Sequence, residues 1–231
     1  MDLSKYNSNL ENWFLDRKLK DFPDNSDYVA VYKSIKKTLM PVQKEVTTGA
    51  DYTDETSLTW HDDSHVNRVI EQASKLLSYN SANITAYEVF VLLVAIQIHD
   101  VMNIQGRDEH ENHAIEIFNN LGIAGLIDSI LLKNIGFIAS CHSGSVLIGE
   151  KKEKDKISFL STTTFKGDKI IHLRFLAALL RLSDEYADDS KRAMSYLLKI
   201  GRIKKGSIIH QKHAESLLDV DIQPNAGKVD F

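Results

Sequence analysis

The chain has 231 residues, 43% hydrophobic and 26% charged, with a formal net charge of −4 and a pI of about 6.1. That length suffices to bury a sizeable core in one large or two small domains, and the composition is that of an ordinary soluble globular protein. The acidic balance gives no indication of nucleic-acid binding, and the single cysteine, Cys141, excludes a disulfide framework and a multi-cysteine zinc site. Cysteine usage fits a reducing cytoplasm. The start of the chain, Met1-Asp2-Leu3-Ser4-Lys5, lacks the apolar core of a signal peptide. The longest apolar run, Val89 to Ile98, is interrupted by Gln97 and is too short to span a bilayer. A cytoplasmic protein with no membrane partner is expected.

The three prolines are Pro23, Pro41 and Pro224, and the proline-free stretch from Val42 to Gln223 argues for helices. Leu3, Tyr6, Leu10, Trp13 and Phe14 stand at helical spacing, which predicts a helix from Leu3 to Lys20. Pro23-Asp24-Asn25-Ser26 reads as a turn, with Asn25 or Ser26 as the cap of a helix running to about Leu39, just before Pro41. Thr47 to Asp63 is polar and reads as irregular. Ser64 then caps a helix with Val66, Val69, Ile70, Ala73, Leu76 and Leu77 on one face. Thr85 with Glu88 is a capping-box signal for the apolar helix that ends at His99-Asp100.

After a loop from Met102 to Arg107, helices are expected over Glu109 to Asn119 and over Leu126 to Ser140, with a break at Gly122 and Gly125. The second closes on Cys141-His142-Ser143-Gly144. Glu150 to Thr164 is polar and lysine-rich and reads as a surface excursion. A strongly apolar helix is predicted over Lys169 to Glu185, and two more over Ser190 to Ile200 and Ser207 to Leu218. The tail from Val220 to Phe231 alternates like a hairpin and stops in mid-strand, which reads as the start of a further C-terminal region. The expectation is one all-α domain over 1–219, a helical bundle, with a tail at 220–231.

His65, His99, Asp100, His110, His142 and Asp184 are spread over several of these helices, most of them near a predicted helix end. Imidazole with carboxylate and no thiolate suits Mn, Fe, Co, Ni or Zn. Four ligands hold one ion; six, with Asp100 bridging, hold two, and a close pair of metals can clamp a phosphoryl oxygen and activate water. The adjacent pair His99-Asp100 sits where a helix C-terminus carries partial negative charge, which favours a cation. Each residue also has a plainer reading: a buried polar pair for His99-Asp100, an ion pair with Arg181 for Asp184, a first-turn polar residue for His65, a cap for His142. His110 competes with His113 and is preferred for its spacing to Ala114. Cys141 reads as core filler.

The ordered set resembles the HD-domain metal-dependent phosphohydrolase superfamily over about residues 60 to 190. The family pattern is an early His, an adjacent His-Asp and a late Asp, matched by His65 in Asp62-Asp63-Ser64-His65-Val66-Asn67-Arg68-Val69, by His99-Asp100, and by Asp184 in Leu180-Arg181-Leu182-Ser183-Asp184-Glu185. Two-metal members add two histidines, matched by His110 and His142. The segment Gly106-Arg107-Asp108-Glu109-His110-Glu111 also looks like HD domains joined to GHKL-type ATPase domains. The resemblance implies a helical bundle around a mono- or dinuclear centre and hydrolysis of a phosphoester or nucleotide. Where many relatives carry Gly-Lys after His-Asp, this chain has Val101-Met102-Asn103; the late Ala-Asp is Ser183-Asp184. Arg107 is the substitute for the missing lysine, and Arg68 a second phosphate-binding arginine. Asp100 would hold the metals and orient water, and Glu111 would serve as general acid or base. For Arg68, Arg107 and Glu111 a solvated surface side chain is an equal reading. Three functions follow: a phosphohydrolase acting on a nucleotide-like substrate; a metal- and nucleotide-binding regulatory module serving a partner or a fused ATPase domain; and, ranked below both, a di-iron oxygenase. His61 reads as a loop residue or a substrate-side group, and His172, His210 and His213 as surface or packing residues.

Overall fold

The expected Leu3–Lys20 helix is broken by its own polar residues. Asn7 and Ser8 take φ of 52° and 54°, a left-handed turn that short polar side chains tolerate best after glycine. A 3-10 turn at Ser4–Tyr6 is thereby separated from α1, Leu10–Leu15. Asn9 caps α1 by accepting from the Asn12 N–H at 2.9 Å. The computed structural model describes residues 1–53, 59–79, 84–106, 110, 113–142, 146–148, 151–153, 155–167, 169–217, 221–223 and 228–230.

Helix α2, Tyr28–Thr53, runs straight through Pro41 and takes in residues that looked irregular. Its start is capped by Asp27, which accepts from the Ala30 N–H at 2.9 Å, rather than by Asn25 or Ser26. An interior proline costs about 3 kcal/mol through its missing N–H and its clash with the preceding turn. Tertiary burial offsets this. Leu39, Val46 and Ala50 are buried on the two sides of Pro41. Gln43 Nε2 donates to the main-chain oxygen and Oε1 of Gln97 at 2.8 and 2.9 Å.

Helix α3, Asp63–Tyr79, is capped by Asp62, not Ser64: the Asp62 carboxylate accepts from the Ser64 N–H at 3.0 Å and from its hydroxyl at 2.5 Å. Helix α4, Ala86–Ile98, starts with the expected reciprocal cap between Thr85 and Glu88. Every residue of α4 is buried, so it is the central helix, with α1, α2 and α3 against it. The stretch Ala86–Gln105 is long and apolar enough to cross a membrane by composition, but nearly all of it is buried inside the fold, where it serves as core. Gln97, the polar interruption, is satisfied by Gln43 and by donating to Tyr32 Oη at 3.0 Å.

A 3-10 turn, Val101–Gln105, leads to α5, Glu116–Asn120, which is shorter than the expected helix; Glu109, Glu111 and Asn112 lie outside the described residues. Helix α6, Ser129–Ser140, is capped by Asp128 and packs on α4. Two antiparallel hairpins flank the polar excursion, β1 Val146–Ile148 with β2 Lys151–Glu153, and β3 Thr164–Lys166 with β4 Lys169–Ile171. Residues 169–171 are therefore strand, not helix, because they pair with Thr164–Lys166. Helix α7, Leu173–Glu185, follows and packs on α3, α4 and α6. Then come a 3-10 turn at Ser190–Arg192 and short helices α8, Ser195–Lys199, and α9, Ile208–Ser216. The tail forms the expected hairpin, β5 Asp221–Gln223 with β6 Lys228–Asp230.

Candidate metal centre

The fold brings the C-terminal ends of α4, α6 and α7 to one place. His99 is the C-cap of α4 and Asp100 follows it, His142 follows the C-cap of α6, and Asp184 lies in the last turn of α7. Three negative helix ends and two carboxylates favour a cation between them. His65 comes from the first turn of α3, and His110 from the segment before α5.

All six predicted residues converge, and they form two groups that share Asp100. In the first, Asp100 Oδ2 lies 3.4 Å from His65 Nε2 and 3.3 Å from His99 Nε2, and Asp184 Oδ1 lies 3.1 and 3.4 Å from the same nitrogens. In the second, Asp100 Oδ1 lies 3.4 Å from His110 Nε2 and 3.3 Å from His142 Nε2, and these nitrogens are 3.3 Å apart. The two oxygens of one carboxylate thus address different histidine pairs.

These residues fit a divalent metal. His65 Nε2 and His99 Nε2 are buried and, despite their short contacts, make no hydrogen bond among the described residues. Ligand bonds of about 2.1 Å place neighbouring donor atoms about 3.0 Å apart in an octahedral shell and about 3.4 Å apart in a tetrahedral one, which spans the observed contacts. His99 Nδ1 donates to the Ile96 carbonyl at 2.8 Å and His142 Nδ1 to that of Ala139 at 2.6 Å. Each bond leaves Nε2 with its lone pair facing the cluster, the arrangement usual for metal-bound histidines. Asn103 Nδ2 donates to Asp100 Oδ1 at 2.9 Å and steadies the shared carboxylate.

The electrostatics follow from burial of opposite charges. Burial works against the charged His99 ring, but the Asp100 and Asp184 carboxylates outweigh it and hold its pKa well above the usual imidazole value. Burial also opposes ionisation of Asp100, which the charged His99 ring and bonds from His110 and His142 nevertheless keep well below the usual carboxylate range. Asp184 is held low in the same way, against burial, by His99 and His65.

A cavity of about 240 Å³ opens on Asp100, His110, His142 and Asp184. Its walls include groups that the sequence left in the background. His61 is buried, 3.7 Å from Asp100 Oδ2. Its Nδ1 is 2.5 Å from the Thr59 carbonyl, and its Nε2 accepts from Arg192 Nη2 at 2.8 Å. Burial, then Arg192, keep it neutral, with a pKa well below the usual value. His210 and His213 of α9 also line this cavity, although exposed. Their i, i+3 spacing, which puts both on one helix face, was the available signal.

Arg68 lies beside the cluster in a separate cavity and is ion-paired with Glu71 at 3.0 Å and Asp189 at 3.8 Å. Arg107 and Glu111 lie outside the described residues. His113 is half-exposed and paired with Glu116, so His110 is the one that reaches the cluster. Cys141 is buried core, its thiol pushed up to about 11 by burial. Ser183 is buried, and its hydroxyl donates to the Leu179 carbonyl at 2.6 Å, so the polar atom is satisfied within α7. Residues 49–230 match the model of a protein family described as HD-CE. No curated protein and no solved structure matches the chain.

Proposed function

The chain belongs to the HD-CE family, and from that premise we propose that it is a metal-dependent phosphohydrolase acting on a nucleotide-like phosphoester. One observation carries the reading: Asp100 places one oxygen against His65 and His99 and the other against His110 and His142. That is the donor set for two adjacent divalent ions among Mn, Fe, Co, Ni and Zn. Bound there, such ions supply Lewis acidity and lower the pKa of water beside the substrate phosphorus. The chain's own residues do the rest. Asp100 ties the two halves together, the carbonyls of Ile96 and Ala139 fix the ring orientations, and Arg192 with His61 stands at the cavity wall where an anionic oxygen would lie.

The test is metal content after chelator-free purification together with phosphate release from a panel of nucleotides, beside Asp100→Ala. Near-stoichiometric metal and turnover, both lost in the variant, are expected. Trace metal that the variant does not change and added ions do not restore would overturn the reading.

A second reading, a metal- and nucleotide-binding regulatory module coupled to an ATPase domain, draws support from Asn103. It follows Val101-Met102, which stand where the resemblance implies Gly-Lys with a phosphate-binding lysine, and it is buried and bonds Asp100. Metal and nucleotide binding without turnover of any nucleotide would favour it.

A further inference from the structure

A second cavity of about 550 Å³ adjoins the metal centre, lined by Trp60, His65, Asn67, Arg68, Lys191 and Arg192 among others. Its size falls within the range of about 300–1,000 Å³ typical of small-molecule pockets, and the metal cavity, at about 240 Å³, falls below it. A phosphoester group therefore fits over the metals, and the rest of a nucleotide has to lie elsewhere. Arg192 lines both cavities, and His65 joins the larger one to the cluster.

The seam between the cavities is rigidly built. The Trp60 N–H donates to the Arg192 carbonyl at 3.0 Å, and Arg192 Nε donates back to the Trp60 carbonyl at 3.1 Å. The same guanidinium donates to His61 and pairs with Asp188. The Trp60 backbone is thus held in place, and the residue remains 41% exposed at the cavity. An exposed aromatic ring at a cavity wall is a platform on which a base stacks. Asn67, exposed on α3, offers a donor and an acceptor to a base edge. Lys191 lines the cavity too, as does Arg68, whose charge is met by Glu71 and Asp189 in the same wall.

We propose that this cavity is the base subsite of the phosphohydrolase, with the nucleobase of a nucleoside 5′-phosphate stacked on Trp60 and its phosphate reaching past Arg192 to the metal centre. The inference rests on the phosphohydrolase reading for its phosphate end only.

The chain has two tryptophans, and Trp13 is buried, so ligand-dependent emission reports on Trp60. The 231-residue chain, stripped of metal by chelator, is titrated with AMP, adenosine and ribose 5-phosphate. AMP and adenosine are expected to quench saturably and ribose 5-phosphate not to. Trp60→Leu should abolish the quench and weaken AMP binding, measured by equilibrium dialysis, about 5- to 150-fold, the loss of one base–aromatic stack. Trp60→Phe should restore most of the affinity, which excludes a folding defect. Asp100→Ala should keep the adenosine quench. Quenching without turnover of any nucleotide refutes the hydrolase reading and upholds the base subsite. Equal quenching by ribose 5-phosphate, or AMP affinity unchanged in Trp60→Leu, overturns the subsite whatever the turnover.

Discussion

Chelation should lower the melting temperature in steps that count the two halves of the centre. An ion that binds only the folded state at a free concentration a thousand times its Kd stabilises by about 4.1 kcal/mol. A chain of 231 residues unfolds with an entropy of about 0.5 kcal/mol/K, at about 2.1 cal/mol/K per residue. Each occupied half is then worth about 8 °C, and two are worth about 16 °C. The assay is calorimetry of each protein with and without chelator, so that every variant is its own reference. His142→Ala removes a donor from the second group only and should keep about 8 °C of the shift. Asp100→Asn weakens both groups and should keep almost none. A wild-type melting temperature indifferent to chelator would refute the argument, as would His142→Ala losing as much as Asp100→Asn, because the two carboxylate oxygens would then not serve separate groups.

Metal affinity should rise with pH. In the chelated protein the raised pKa of His99 contributes stability that is fully present below the unfolded value, about 6.5, and is lost as pH rises through the folded value. A metal has to displace that proton, so affinity measured at pH 8 should exceed that at pH 6; a flat profile would contradict it. Gly49→Ala tests how closely α2 lies on the turn after Asp100. An added Cβ would run into Ile104 Cγ1 and stand 3.0 Å from the Ile104 carbonyl oxygen. Overpacking costs about 1–3 kcal/mol against a helix gain of about 1 kcal/mol, so the variant should melt lower, and a higher melting temperature would show that the contact yields. Gln72 is fully buried and its amide makes no hydrogen bond among the described residues. Gln72→Leu should raise stability by about 1–3 kcal/mol in denaturant titration, and a loss would mean that the amide is paired.

The helices that build the centre were legible where local signals and burial agree. The Thr85–Glu88 box and the apolar run after it predict α4 because the cap is a local hydrogen bond and the run is buried on every side. Boundaries failed where tertiary packing overruled local chemistry. Pro41 reads as a stop, yet α2 continues because Val46, Ala50 and Gln43 are buried beyond it. Lys169–Ile171 carries apolar residues compatible with a helix, yet pairs as a strand with Thr164–Lys166.

The same division holds at the site. Residue type and order along the chain were enough to pick out the candidate donors, because imidazole and carboxylate chemistry belongs to the side chains themselves: His65, His99-Asp100, His110, His142 and Asp184 could be named before any contact was known. Only the tertiary structure decided that Asp100 divides its oxygens between two histidine pairs, that neutral His61 is held by Arg192 more than 130 residues away, and that α9 brings His210 and His213 to the cavity wall. Those relations depend on where helix ends meet, and the burial that sets those meetings is a property of the whole chain rather than of any local segment.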